Sequence, residues 1–413
     1  MKWFPRIRTS VGHYFLLVCL LLCQASTLAQ ECPSYGCSLT PLDVYYSTEH
    51  YDALAILRSE TASAEEQKQA LHTLSPAGDD HKTTLTLKSY KGGEPEEQVN
   101  QDAAMVHSPF LLEGYEEPSQ LLGVFDGHGD GGEITSLYAA KTIPKLLASK
   151  LASIDLEDSD AIQTAITETF VQVDQEDPTE GEGGCTATMI LQLNDLLYIA
   201  NAGDSQSFVT VFIKDEAVVV YESREDKPEL EEEKARITEA GGYVHITADD
   251  SDVPRAYAVH PDGTIGTGLA MSRCLGDWEN QGVIAEPIID ILNITEVINS
   301  ALEYHEDACK EKDPSDPMCQ TKLTRDDVHI MGASVSDGII DFMETGEVAD
   351  IMAPAFFTGG SRHPHLAAEE VVYTAGMMWD KVYNNSYRDD VTIAATKVFV
   401  GGKTSHEYSG GEL

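Results

Sequence analysis

Basic side chains are scarce in this 413-residue chain: 27 Lys and Arg stand against 70 Asp and Glu, for a formal net charge of −43. Proteins that grip phosphate backbones do so with Lys and Arg, so this balance excludes nucleic acid as a partner. Long apolar runs are also lacking. Tyr14–Cys23 is unbroken but far short of the roughly 20 residues that cross a bilayer, so no stable membrane span is expected. No two cysteines have Cys-x-x-Cys spacing, which excludes a structural zinc of that type. No motif recurs at a fixed period, which excludes a solenoid. What is present is a large apolar complement, 42% of residues with 8% aromatic, enough to bury a sizeable core.

The chain opens like a secretory signal peptide over residues 1–29: Lys2, Arg6 and Arg8, the apolar run Tyr14–Cys23, then a small-residue cleavage site at Thr27-Leu28-Ala29. The expected localisation is the secretory pathway, secreted or in the ER lumen. In that compartment Cys32 with Cys37, and Cys309 with Cys319, read as disulfide candidates, the second pair bracketing a polar insertion. Cys185 and Cys274 have apolar neighbours and read as buried small hydrophobes. Asn293-Ile-Thr295 and Asn384-Asn-Ser386 are glycosylation candidates.

Residues 30–83 form an N-terminal extension, with Leu54, Leu57, Leu71 and Leu74 at helical spacing. From residue 84 to 400 short apolar runs alternate with helical stretches, notably Glu133–Leu151, Asp160–Asp174, Glu229–Ala240 and Ala367–Asn384. That pattern predicts mixed sheets with helices outside, followed by a short tail, 401–413. The acidic run Glu229–Glu233 reads as a solvated helix face.

Carboxylates fall where apolar runs end. Leu121–Phe125 runs into Asp126-Gly-His-Gly129, and Leu196–Gly203 into Asp204. Ile330–Ser336 runs into Asp337-Gly338, with Asp341 one turn on, and Asp389-Asp390 opens Val391–Ala395. Any one Asp-Gly is ordinary turn chemistry. Four at strand ends would repel unless a cation held them together. Oxygen ligands point to a hard cation, magnesium or manganese, and a pair of such ions activates water against a phosphoryl group. His128, two residues from Asp126, has the pKa range suited to protonating a departing alkoxide.

These residues resemble the metal-dependent type 2C serine/threonine protein phosphatases. The likeness covers Asn100-Gln-Asp102, Val124–Gly129, Gly184–Ala187 with Ala200–Ser205, and Asp226-Lys-Pro228. It continues through Glu233, Arg236-Ile237, Gly241-Gly242, Gly268–Asp277, Ser336–Gly338 with Asp341, and Asp389–Thr392. The resemblance implies an α+β fold, a four-layer α-β-β-α sandwich of two antiparallel sheets flanked by helices, over residues 84–400. It implies two Mg or Mn ions per subunit, with a weaker third. Asp126 would bridge the first two ions, the Gly127 carbonyl would help hold the second, and Asp337 and Asp389 would bind the first. Asp102 would orient metal-bound water, and Asp204 and Asp341 match the weaker third position. A metal-bridging hydroxide would attack phosphoserine or phosphothreonine directly, with Asp126 and His128 as the catalytic pair and His128 as acid.

The chain departs from the family pattern in three places. No arginine precedes the first acidic motif, where Glu94–Val99 stands and Lys91 is the nearest base; Gln206 and Asp226 replace a common Arg and His. The missing guanidinium keeps a rival reading open, a pseudophosphatase that captures phosphoproteins without turnover. The expected partners are phosphoprotein substrates with basic surroundings, acted on by a monomer.

Overall fold

The computed structural model describes residues 85–90, 99–246, 253–311, 319, 321–358 and 364–400, apart from positions 111, 116, 118 and 385. The leader, the extension with Cys32 and Cys37, Lys91, the Glu94–Glu97 stretch and the tail lie outside the described residues. The strands are β1 (Leu85–Tyr90), β2 (Ala103–His107), β3 (Ser119–Phe125), β4 (Gly127–Gly129), β5 (Gly183–Cys185), β6 (Ala187–Leu193), β7 (Leu196–Ala202) and β8 (Gln206–Ile213). They continue as β9 (Glu216–Glu222), β10 (Tyr243–His245), β11 (Arg255–Val259), β12 (Ile265–Leu269), β13 (Leu275–Gly276), β14 (Ile288–Asn293), β15 (His329–Val335) and β16 (Val391–Lys397). The helices are α1 (Gly132–Leu151), α2 (Ser159–Gln175), α3 (Glu231–Glu239), α4 (Ile294–Glu311), α5 (Asp337–Ile340), α6 (Thr345–Phe357) and α7 (Pro364–Val382).

Two five-stranded antiparallel sheets carry the architecture, in the orders β14-β7-β6-β3-β2 and β1-β16-β15-β8-β9. Strand β3 is buried at every position, which is why its sequence is nearly continuously apolar. Its side chains still alternate. Leu121 and Phe125 face α1 and α2, packing with Ile143, Leu147, Ile166 and Phe170. Leu122 and Val124 face the other way, against Val209, Val211, Ile330 and Ala394 of the second sheet. That sheet's outer face, with Phe208, Met331 and Ile393, packs on Val348 and Met352 of α6 and Val371 and Trp379 of α7. Three apolar interfaces therefore stack four layers, helix, sheet, sheet, helix, as expected of the fold class.

Local signals set several boundaries. Asp158 caps α2, its side chain accepting from the backbone N–H groups of Asp160 and Ala161. Lys214 and Asp215, at φ 51° and 65°, make the two-residue turn joining β8 to β9. Cys309 and Cys319 are disulfide-bonded, with Cα atoms 5.5 Å apart, at the end of α4. Among the described residues no helix is long and apolar enough to cross a membrane.

The expected solvated face at Glu229–Glu233 needs correction. Glu231 and Glu232 are exposed, but Glu233 is wholly buried. Its carboxylate accepts from Ser272 Oγ at 2.7 Å and from Arg273 Nη2 at 2.8 Å, and pairs with Arg236 at 2.7 Å and Arg224 at 2.9 Å. Burial by itself would raise this carboxyl, but the Arg273 and Ser272 hydrogen bonds and the arginine charges hold it down at about 2. The single buried position in the run is the one that faces the arginines, and that is decided by tertiary contacts.

Candidate metal centre

Because the sheets are antiparallel, strands that leave toward one edge and strands that enter from it bring their termini together. Ala103 opposes Phe125, and Val335 opposes both Gln206 and Ile393. Asp102 and Asp126 therefore lie at one sheet's edge, and Asp204, Asp337, Asp389 and Asp390 at the other's. Two hydrogen bonds tie the edges across the seam. Ser336 Oγ donates to Asp102 Oδ2 at 2.9 Å, and the Gln101 N–H donates to Asp390 Oδ2 at 2.7 Å. Gly127 sits where backbones converge; a Cβ there would lie 2.4 Å from the Gln101 carbonyl oxygen and 2.5 Å from that of Gly132.

The cluster is electrostatically strained without a cation. Burial, then the charges of Asp337 and Asp102, push the Asp126 carboxyl well above its ordinary range. Asp102 is raised in the same direction by burial and Asp390. Asp337 is pushed up to about 8 by burial, then by Asp204 and Asp389. Asp389 is raised by burial against the Tyr387 hydrogen bond. Asp341, on the exposed rim, rises to about 6 through desolvation, opposed by Lys227 and reinforced by Asp204 and Asp389. Asp102 Oδ1, Asp204 Oδ1 and Asp337 Oδ1 are buried with no hydrogen-bond partner. Orphaned carboxylate oxygens converging on one seam fit a hard divalent cation, which would satisfy them and relieve the repulsion.

His128 stands at the edge of this cluster with a partner sequence reasoning did not assign. Its Nε2 lies 2.5 Å from Asp277 Oδ2, and its Nδ1 is buried without a hydrogen-bond partner. Burial alone would depress the imidazole, but the Asp277 carboxylate, then Asp204 and Asp337, raise it above its ordinary value. Asp277 adopts φ 52°, its N–H bonded to the Gly183 carbonyl, and Cys274 Sγ donates to its Oδ2 at 3.4 Å. The pair fits only because residue 184 lacks a side chain, since β5 passes directly over it.

The remaining expected residues fall as follows. Asp204 is in the cluster, but its Oδ2 accepts from Lys227 Nζ at 2.8 Å, so an ammonium already stands at the position matched to a third ion. Gln101 gives its side-chain amide to the Gly129 carbonyl and Glu133. Asp226, at the family's His position, is a buried clamp, accepting from the Gly203 N–H at 3.2 Å and from Arg224. Gln206 donates to the Ser223 carbonyl. Asn293 and Asn384 lie outside the cluster. Asn293 Oδ1 caps α4 through the Glu296 N–H, and Asn384 is exposed at φ 53°. Residues missed as site components are Asp277, Asp390, Lys227, Ser336 and Arg388. Asp277 ended a recognised motif, so a signal existed, but nothing local to it named His128.

A buried carboxylate cluster across a two-sheet seam, beside an oriented histidine, defines a metal-dependent hydrolytic centre. The protein phosphatase 2C family model matches residues 96–302. The probable protein phosphatase 2C 64 of Oryza sativa subsp. japonica is 27% identical over 345 residues, spanning 80% of this chain and 69% of that protein. The probable protein phosphatase 2C 48 of the same organism is 31% identical over 244 residues, 53% of this chain and 67% of the relative. The solved serine-threonine phosphatase 2C from Toxoplasma gondii superposes with TM-score 0.55 at 16% identity, over 76% of this chain and 94% of that one. This chain belongs to the protein phosphatase 2C family of Mg- or Mn-dependent protein serine/threonine phosphatases.

Proposed function

We propose that this phosphatase hydrolyses phosphoserine and phosphothreonine with two ions, and a weaker third that must displace Lys227 from Asp204, acting as a monomer in the secretory pathway. The observation that carries the reaction is the set of orphaned carboxylate oxygens beside His128. Asp102, Asp126, Asp337, Asp389 and the Gly127 carbonyl would hold the ions. Bound there, the ions would supply an activated water and offset charge on the phosphoryl group. His128, held through Nε2 by Asp277, keeps Nδ1 as the nitrogen that hands a proton to the leaving serine or threonine oxygen. Arg388 lines the cleft with Gln101, Gly127, Tyr387 and Asp389 and would take part of the phosphate charge where the family's upstream arginine is lacking.

The secretory reading is supported by the leader-like N-terminus and the Cys309–Cys319 bond. In that route Asn384, being exposed, is the more accessible glycosylation acceptor, because Asn293 is engaged in capping α4. The acidic surface favours basic residues around the phosphoresidue.

The test is hydrolysis of a phosphothreonine peptide by the purified chain with manganese. Activity abolished by EDTA, and by Asp126→Asn or Asp337→Asn, is expected. Activity indifferent to either overturns the proposal. Metal binding without turnover would replace it with phosphoprotein capture.

A further inference from the structure

We propose that His128, Cys274 and Asp277 form a second metal site, separate from the carboxylate cluster, that takes a borderline-soft cation of the zinc class and shuts the enzyme off. The donors are His128 Nε2, Cys274 Sγ and Asp277 Oδ2, all within 4.8 Å of one another. They differ in kind from the carboxylate cluster. Hard Mg and Mn take oxygen donors, whereas imidazole plus thiolate selects zinc.

Zinc bonds of about 2.0–2.3 Å, disposed tetrahedrally, set neighbouring donors roughly 3.3–3.8 Å apart. The Cys274 Sγ to Asp277 Oδ2 separation, 3.4 Å, is already in that range. The Nε2 to Oδ2 separation, 2.5 Å, has to open by about 1 Å, which a turn of the partly buried His128 ring would provide. The rest of the frame is fixed: Asp277 is anchored to Gly183 through its N–H, and Cys274 N–H bonds the Ile284 carbonyl. On binding, a zinc–sulfur bond forms as the Cys274 S–H breaks, and the proton leaves to water. A water would complete the fourth position.

Occupation removes His128 from proton delivery, because the ring turns to bring Nε2 onto the metal and carries Nδ1 out of line with the leaving oxygen, while Asp277 is taken as a ligand. Inhibition rests on the phosphatase reading; metal binding does not. Excess Mg fills the carboxylates without occupying a nitrogen–sulfur site, so zinc inhibition persists at Mg concentrations that saturate activity.

The reduced full chain, with saturating Mg, is titrated with Co(II) and thiolate-to-cobalt charge-transfer absorption is recorded. Cobalt on carboxylates alone gives no such band. One equivalent is expected to produce the band, zinc to abolish it, Cys185→Ser to retain it and Cys274→Ser to lose it. No band, or a band unchanged in folded Cys274→Ser, overturns the proposal. Cys274→Ala provides the same reading should the serine variant melt early. In the peptide assay, loss of Cys274 raises the half-inhibitory zinc concentration about tenfold or more. An unchanged value in both variants overturns the inhibitory role even where cobalt binds. A chain without any phosphatase activity still answers the cobalt experiment, so the two failures are separable.

Discussion

One methyl group at Gly184 tests whether the His128–Asp277 pair drives proton delivery. An alanine Cβ there would stand 1.8 Å from Asp277 Oδ2 and 2.7 Å from His128 Nε2. The backbone has little room to yield, since Gly184 is paired to His128 on one side and Gly276 on the other. The carboxylate must therefore move by about 1 Å or more, at an overpacking cost of about 1–3 kcal/mol in unfolding free energy. With the imidazole released, general-acid catalysis worth about 10²–10⁴ in rate is lost, or roughly 3–5 kcal/mol of barrier. The loss falls on kcat and leaves KM nearly unchanged, because the pair is assigned to proton delivery and not to holding the phosphate. Asp277→Asn, which conserves volume, separates charge from fit. Asp277 raises the imidazole, so its neutralisation shifts the alkaline limb of the kcat profile toward acid. Steady-state kinetics on folded Gly184→Ala decide the matter. A kcat within about threefold of the parent refutes the pair's role.

Removing the ions should reveal the repulsion among the aspartates. Asp337 titrates near 8 folded against 3.8 ordinarily, so the folded chain binds the extra proton, and ion-free stability falls as pH rises through that window. Manganese should accordingly raise Tm more at about pH 8 than at about pH 5.5, and an equal rise at both would contradict the cluster's coupling. Glu233→Ala strands three guanidiniums and should cost about 3–5 kcal/mol in urea unfolding, far beyond a surface substitution. Arg388→Ala should raise KM about tenfold with little change in kcat; a pure kcat effect would argue for a structural role. Basic phosphopeptides should outpace acidic ones at low salt, with the gap closing as ionic strength rises, and equal rates at low salt would exclude steering.

The elements most legible in the sequence were those whose local signal and tertiary role agree. The run Leu121–Phe125 reads as a strand, and Asp126 follows it, because a strand covered on both faces is apolar throughout and its exit is a polar turn. Helices α1, α2, α3 and α7 matched their periodic stretches within a few residues. Helices α4 and α6 were not anticipated. Helix α4 begins directly at the end of β14, capped by Asn293, and α6 carries Pro354 within it. The aspartates gathered at the seam were legible because each ends or opens an apolar run. The Asp277 partner of His128 was not, because 149 residues separate them and only the pairing of β4, β5 and β13 joins them. Glu233 misled for the converse reason: its neighbours in sequence are solvated, and two of its three arginines, Arg224 and Arg273, come from outside its helix.

The seam between the sheets explains why so costly a cluster is tolerated. Its apolar part, Leu122, Val124, Ile190, Val209 and Ile330, continues toward the site as a buried hydroxyl chain, Thr188 to Ser207 to Ser334 at 2.8 and 2.7 Å. Thr186 and Ser205, 2.7 Å apart, extend it, and Thr186 Oγ1 receives the Asp126 N–H. The hydroxyls along this part of the seam satisfy one another on the way to the carboxylates. Among the described residues the orphaned carboxylate oxygens are those of Asp102, Asp204 and Asp337, at its end. Since those oxygens belong to both sheets, a bound cation would close the same interface that the apolar residues close further in. Ion binding and sheet packing are then one cooperative event, and the repulsion among the aspartates is the free energy that couples them.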